Sequence, residues 1–284
     1  MSQITPNPLS KYFRQPKVYV SLPSKGKYYP PGSLEVNENN EYPVFAMTAK
    51  DEMTIKTPDA LLNGQATVDV IQSCVPAIKD GWAIPSLDVD ALLIAIRIAT
   101  YGEKMDITTK TPVTGEEKDF EVDLKVMLDQ VSHHEFNNVL TYQDLTIHLR
   151  PLSYKEFTEV NLKTFEEQRI FALIDDADMD DGEKLARFSQ SFAKLTDLTF
   201  GSVERAISSI VIGDQEVTDR RHIAEFVSNA DKSLFETIQE HLTEQKSQFE
   251  IKPLIVDATD EEIAQGVPPT YRVPITFDSS NFFG

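Results

Sequence analysis

The sequence predicts an α+β fold: a β-containing N-terminal half around a buried helix, and a mostly helical C-terminal half with a closing C-terminal strand. Three observations carry that prediction. Residues 87–102, LDVDALLIAIRIATYG, are apolar around nearly the whole circumference of a helix. Residues 105–124 alternate with period 2 on both sides of a turn. From 153 to 249 apolar residues recur at helical spacing. The chain divides accordingly into a basic flexible arm (1–17), an α+β core with a β-hairpin (18–150), and a helical region ending in a strand and an apolar tail (151–284).

The first 30 residues hold Lys11, Arg14, Lys17, Lys25 and Lys27 and no acid, a charge of +5 against -24 for the remainder. Pro6, Pro8, Pro16 and Pro23 disfavour a helix there. This end reads as a flexible terminus held by charge against an acidic body, or as a docking peptide for another protein. From Val18 to about Ile55 the texture is short strands and turns. Val18-Tyr19-Val20 and Tyr42-Pro43-Val44-Phe45 favour strand, with Pro30-Pro31-Gly32 and Asn37-Glu38-Asn39-Asn40 as turns between them. A brief helix is expected to open with Thr57 as N-cap before Pro58 and Asp59, and to end at Asn63-Gly64. Val68, Ile71 and Val75 then keep helical spacing up to Pro76.

The central helix follows, with Ser86 as its expected cap, Asp88 and Asp90 in its first turns and Gly102 past its end. Leu92, Leu93, Ile94, Ile96 and Ile98 make it a core element. Arg97 is its one basic interruption, expected to snorkel to the surface or to pair with a carboxylate. Met105, Ile107 and Thr109 alternate into the turn TPVTGEEKD, and Phe120, Val122 and Leu124 alternate back, which predicts a hairpin. Leu145, Ile147 and Leu149 mark a further strand ending before Pro151. Beyond it, 154–174 reads as one long helix. Leu185, Phe188, Phe192 and Leu195 form an amphipathic face, and Val203, Ile207, Ile210 and Val211 are expected to continue in helix to Gly213-Asp214. Ile223, Phe226 and Val227 mark another helix, and Leu234, Ile238, His241, Gln245 and Phe249 the last before Pro253. Residues 271–277 resemble a closing strand.

Composition narrows the function classes. Of 284 residues, 40% are hydrophobic and 26% charged, enough apolar surface for one large core or two modest ones. Forty-six acids against 27 basic residues leave -19, a surface that repels phosphate backbones and argues against nucleic acid as partner. Cys74 stands alone, so neither an intrachain disulfide framework nor a multi-thiolate metal site is available. No run approaches the ~20 apolar residues of a membrane span, and the start lacks the apolar core of a secretory signal. These features predict a soluble chain of a reducing, intracellular compartment.

Enzymatic and metal constellations do not emerge. There is no G-x-S-x-G, H-E-x-x-H or G-x-x-x-x-G-K-[ST] motif, and Gly26-Lys27 lacks the flanking residues of a phosphate loop. Registering Asp176, Asp178 and Asp180 as calcium ligands puts Asp181 where a turn glycine belongs and Arg187 where the terminal glutamate belongs. The acidic stretch therefore reads as a solvated loop between helices. His133 and His134 point to different sides of their element, and His148, His222 and His241 lie on separate ones. Cys74 sits on an apolar helical stripe as a small hydrophobe. No catalytic, cofactor-binding or metal residue is assigned.

Four stretches carry a resemblance: LPSKGKYYPPGSLEV (22–36), TPDALLNG (57–64), CVPAIKD (74–80) and DVDALLIAIRIATYG (88–102). Together they resemble the baseplate hub assembly proteins of T-even-type contractile-tailed bacteriophages, densely over 18–125 and only loosely over 150–250. The resemblance implies a non-enzymatic role in building the hub, with hub and tape-measure proteins as partners; charge and composition already argue against nucleic acid and membrane, and the missing motifs against a cofactor. It implies the host cytoplasm during virion assembly, or the virion baseplate, as the place of action. Some relatives look as though they carry a zinc-knuckle C-P-x-C-G after the central helix; here that stretch is Thr111-Pro112-Val113-Thr114-Gly115. Hydroxyls replace thiolates poorly on zinc, and 257–266 supplies no Cys either, so no structural zinc is expected in elemental analysis.

The acidic charge suits a chaperone that stays soluble beside a sticky client, and the helical faces offer a groove for a client helix. Phe188 and Phe192 are the candidate contacts, with packing against neighbouring helices as the structural reading of each. Phe282 and Phe283, in the tail Asn281-Phe282-Phe283-Gly284, are either tucked into the body or offered to a partner. A permanent hub subunit and a tail-associated peptidoglycan hydrolase are the alternative functions. Neither the oligomeric state nor the client surface is fixed by sequence.

Overall fold

A computed structural model describes residues 7–57, 64–176 and 180–275 of the chain. After a 3-10 turn at Ser10–Tyr12, strand β1 (Pro16–Ser21) pairs antiparallel with β2 (Glu41–Phe45), Val20 opposite Tyr42. Helices α1 (Ala49–Ile55) and α2 (Gln65–Cys74) lead to α3 (Ser86–Tyr101), the central helix. Strands β3 (Lys104–Lys110) and β4 (Glu117–Asp123) form the predicted hairpin, with Met105 opposite Val122 and Ile107 opposite Phe120. Helix α4 (Leu124–Ser132) and strands β5 (Val139–Tyr142) and β6 (Leu145–Leu149) follow. Two long helices, α5 (Tyr154–Asp176) and α6 (Asp181–Ala206), run on into β7 (Ile207–Ile212) and β8 (Gln215–Val217). Helices α7 (Arg220–Asn229) and α8 (Lys232–Phe249) precede β9 (Leu254–Asp257), α9 (Asp260–Ala264) and β10 (Thr270–Val273). The fold is α+β, and the closing strand β10 pairs antiparallel with β9.

The apolar side chains gather in two clusters. One joins Val20, Val44, the buried faces of α2 and α3, Met105, Val122 and Leu124, and is completed by Val267, Tyr271 and Val273. Leu92, Ile94 and Ile96 of α3 are fully buried in it, each contributing on the order of 1.5–3 kcal/mol of transfer free energy. The other joins Ile147 and Leu149 of β6 to Val203, Ile207, Ile223, Leu234 and Ile238. A four-stranded antiparallel sheet, in the order β5-β6-β7-β8, lies in this second cluster.

Several sequence expectations need correction. The stretch 207–211 was expected to be helical, yet Ile207–Ile212 is a strand whose Ile210 faces Ile147 of β6. Its alternation is masked because Ile210 and Val211 are adjacent and both apolar, and sheet pairing with a distant segment decided the outcome. The strand-and-turn region to Ile55 contains α1, whose cap Thr48 and Asp51 bond each other's backbone N–H reciprocally. The helix expected to open at Thr57 falls on 58–63, outside the described residues. Ser86 is the first residue inside α3 rather than its cap, and its N–H donates to the Leu152 carbonyl at 2.8 Å.

Arg97 makes no ion pair with a carboxylate among the described residues. It is buried, its Nε and Nη1 have no hydrogen-bond partner, and its guanidinium lies 4.4 Å from the Tyr101 ring centroid.

Described residues of the basic arm are pinned by Arg14. Its Nη1 donates to the Ala46 carbonyl at 2.6 Å and lies 3.3 Å from the Asp51 carboxylate, while Nη2 donates to Ser73 Oγ at 2.9 Å. Asp51 is buried and also accepts from Thr48 N–H and Ser73 Oγ. Within 7–17 the charge contact with the body is made by the Arg14 guanidinium. Cys74 lies beside this network, fully buried. Burial pushes its thiol up to about 12, Asp51 adding to the rise and Arg14 opposing it. Native protein at pH 8 should therefore leave Ellman's reagent uncoloured, and one thiol per chain should react once urea unfolds it. Rapid reaction without denaturant would contradict this burial.

Candidate partner-binding surface

Helix α5 starts on a reciprocal cap: Ser153 N–H donates to Glu156 at 2.8 Å and Glu156 N–H to Ser153 Oγ at 3.2 Å. Arg150 grips the same carboxylate with two bonds, 2.8 and 2.7 Å. Although burial opposes it, these bonds hold Glu156 down at about 2. Helix α6 starts on Asp180, which accepts from the N–H groups of Gly182 and Glu183. The acidic stretch of the sequence thus supplies a helix cap.

The two helices form an antiparallel hairpin with a polar seam. Glu167 is buried between them and receives the Lys194 ammonium at 2.9 Å, and Ser191 also bonds it. Both partners hold Glu167 below the usual carboxylate range. Because this seam is polar, much of the apolar stripe on α6 is turned outward. Leu185 is 67% exposed, Phe192 61% and Phe188 50%, and Phe165 of α5 is also exposed. The Phe188 ring lies 4.8 Å from that of Phe171 between centroids. Toward the base of the hairpin the stripe is partly covered: Phe200, still 37% exposed, stacks on Phe235 at 4.3 Å, and Val203 is buried.

Phe188 and Phe192 therefore sit on one exposed face, as their spacing placed them. Phe282 and Phe283 lie outside the described residues. Phe165 is a further exposed ring, on α5, which the imperfect stripe of 154–174 did not single out. A second exposed apolar group, Leu9, Tyr12 and Phe13, lies on the basic arm.

The histidine pair serves structure. His133 caps α4 and bonds the Asp129 carbonyl, while His134 meets Phe249 edge-on at 6.1 Å. Glu135 pairs with both Lys25 and Lys27 at 3.3 Å, so it fastens the SKGKYY turn. That turn is anchored from beneath by Asp88, which is completely buried and accepts from Ser24 N–H at 2.7 Å, from Ser24 Oγ and from Tyr29 Oη at 3.0 Å. Gly26 adopts φ +72°, and an added Cβ would stand 3.3 Å from Tyr42 Oη.

The knuckle region has the shape of a turn without the donors for zinc. Thr111 N–H donates to the Glu116 carbonyl and Gly115 N–H to the Thr111 carbonyl. Thr111 Oγ1 is buried without a partner. The facing segment approaches through Lys118, whose ammonium lies 2.6 Å from Glu262, and through Gly266, beside Val113. A cation is already seated between these segments, and threonine hydroxyls do not fit a zinc site. Among the described residues, no group of three or more His, Cys, Asp or Glu is placed to hold a metal ion. No helix there is long and apolar enough to cross a membrane.

An outward apolar stripe on a long hairpin, on a chain of charge -19, is a surface of the kind that partner polypeptides cover. A family model described as T4 bacteriophage base plate protein matches residues 16–256, and the chain belongs to that family. Comparisons with curated proteins and with solved structures returned no match.

Proposed function

We propose that this baseplate-family chain is a hub assembly factor of chaperone type, acting through protein–protein contacts on hub and tape-measure proteins. The observation that carries the reading is the exposed stripe Leu185, Phe188 and Phe192 on a long helix. Such a face suits a client helix laid along the hairpin, with about three anchor positions over two turns. The high negative charge keeps a carrier soluble while a sticky client is in hand. In this reading the arm (1–17) and the core (18–150) fix the molecule's shape and the region 151–284 holds the client. The chain works without catalysis, in the host cytoplasm while virions are built.

Co-expression with hub and tape-measure proteins, then purification from lysate and from finished particles, tests this. Complexes in lysate that are missing from particles are the expected result. Retention at fixed stoichiometry in particles would make the chain a permanent hub subunit, and no complex in either fraction would end the proposal. Zymography on peptidoglycan should show no clearing.

A further inference from the structure

A cleft of about 490 Å³ opens where the hairpin base meets the start of α3 and the end of α8, within the ~300–1,000 Å³ of typical ligand pockets. Its walls are largely apolar, among them Leu87, Phe157, Val160, Leu198, Leu242 and Phe249. Four charged groups also line it, and they are unequally matched. Arg150 is held by Glu156 in the two-bond grip described above. Lys246 lies 3.4 Å from Glu250 and 5.8 Å from the Phe157 ring centroid. Asp90, in the first turns of α3, has no hydrogen bond or ion pair among the described residues. Burial, then the neighbouring Glu250, push its carboxyl up to about 6 against the pull of Lys246. Asp90 is half-buried, so its surplus carboxylate stands among apolar walls yet is reachable from solvent, where a cation that also covers those walls can meet it.

We propose that this cleft receives a basic anchor residue, arginine or lysine flanked by apolar side chains, from a partner polypeptide. The stem of such a side chain covers the apolar wall, and its cationic head pairs with Asp90. Arginine suits the site better, because its planar fork can meet the carboxylate with two bonds. A second copy of this chain is a poor occupant, since two bodies of charge -19 repel. The cleft is separate from the α6 stripe, and the proposal rests on the functional reading only in taking the occupant to be a polypeptide.

The test titrates full-length, isotope-labelled protein with the blocked tripeptide acetyl-Leu-Arg-Phe-amide, followed by NMR amide shifts. Acetyl-Leu-Gln-Phe-amide is the control. Saturable shifts centred on residues 87–90 and 246–250 are expected, with binding about fivefold to tenfold weaker for the glutamine peptide and for Asp90→Asn. A Leu185→Ser/Phe192→Ser protein should bind the arginine peptide as the parent does, so failure of client capture on the stripe and failure here are separable. Equal binding of both peptides by the parent protein, shifts centred elsewhere, or no saturable shift at all would overturn the proposal. The peptide comparison on unaltered protein decides the matter even if Asp90→Asn folds poorly.

Discussion

Replacing Leu185 and Phe192 together by serine should reduce recovery of hub or tape-measure partners at least about tenfold, with unfolding free energy changed by less than about 0.5 kcal/mol. The argument is one of exposure. These two side chains are 67% and 61% accessible, so the folded chain gains little from them. A client that covered them would gain the transfer free energy the monomer forgoes, and central apolar anchors of that kind dominate interface energies. Phe188→Ser is a less clean probe, because losing its contact with Phe171 removes a ring pair worth about 0.5–1.5 kcal/mol. Pull-down from co-expressing cells, with urea denaturation of each purified variant, gives both readouts. Undiminished recovery with the double variant would remove the stripe from the function.

Asp88→Ala should be the most damaging single change in the described core, costing about 3–5 kcal/mol by urea denaturation. The alanine leaves the buried Ser24 N–H without its acceptor and a void where three donors converge. Asp88→Asn keeps one acceptor oxygen, and the Ser24 and Tyr29 hydroxyls can reverse to accept from the new amide, so its cost should stay below about 1.5 kcal/mol. The pair also predicts a pH dependence. Burial pushes Asp88 up to about 7 despite the bonds from Ser24 and Tyr29, against about 3.9 in an unfolded chain. Between those values the folded state holds the proton and the unfolded state has released it, so stability from this group falls as pH rises from about 4 to 7 and is level beyond. The stability difference between the parent and Asp88→Asn should shift in favour of the asparagine protein over that window. A constant difference from pH 4 to 8 would show that Asp88 does not titrate there.

Periodicity alone disclosed the elements whose partners are near in sequence or whose burial is complete. Helix α3 was readable because its apolar residues leave no exposed face, and the β3–β4 hairpin because both its strands alternate around one turn. The exposed stripe was half readable: spacing put Phe188 and Phe192 on one side of a helix, but whether that side met a neighbour depended on the Glu167–Lys194 seam, which no pattern on α6 alone announces. Strand β7 was hidden because its identity comes from β6, some sixty residues earlier. The role of Asp88 was hidden too. A carboxylate in a first turn ordinarily answers the helix dipole, and only the tertiary approach of Ser24 and Tyr29 turns it into an anchor. The cleft around Asp90 draws on α3, α5, α6 and α8 and leaves no trace in any one of them.

The first apolar cluster is closed by Val267, Tyr271 and Val273, although the second cluster, from Ile147 to Ile238, intervenes in the chain. On a ribosome the intervening part emerges whole while the earlier one still waits for its last pieces. A nascent chain is therefore left with part of its older apolar surface uncovered until synthesis is nearly done. Fragments stopped by a nonsense codon before residue 267 should accordingly be degraded or aggregate, even though every residue of α3 has been made.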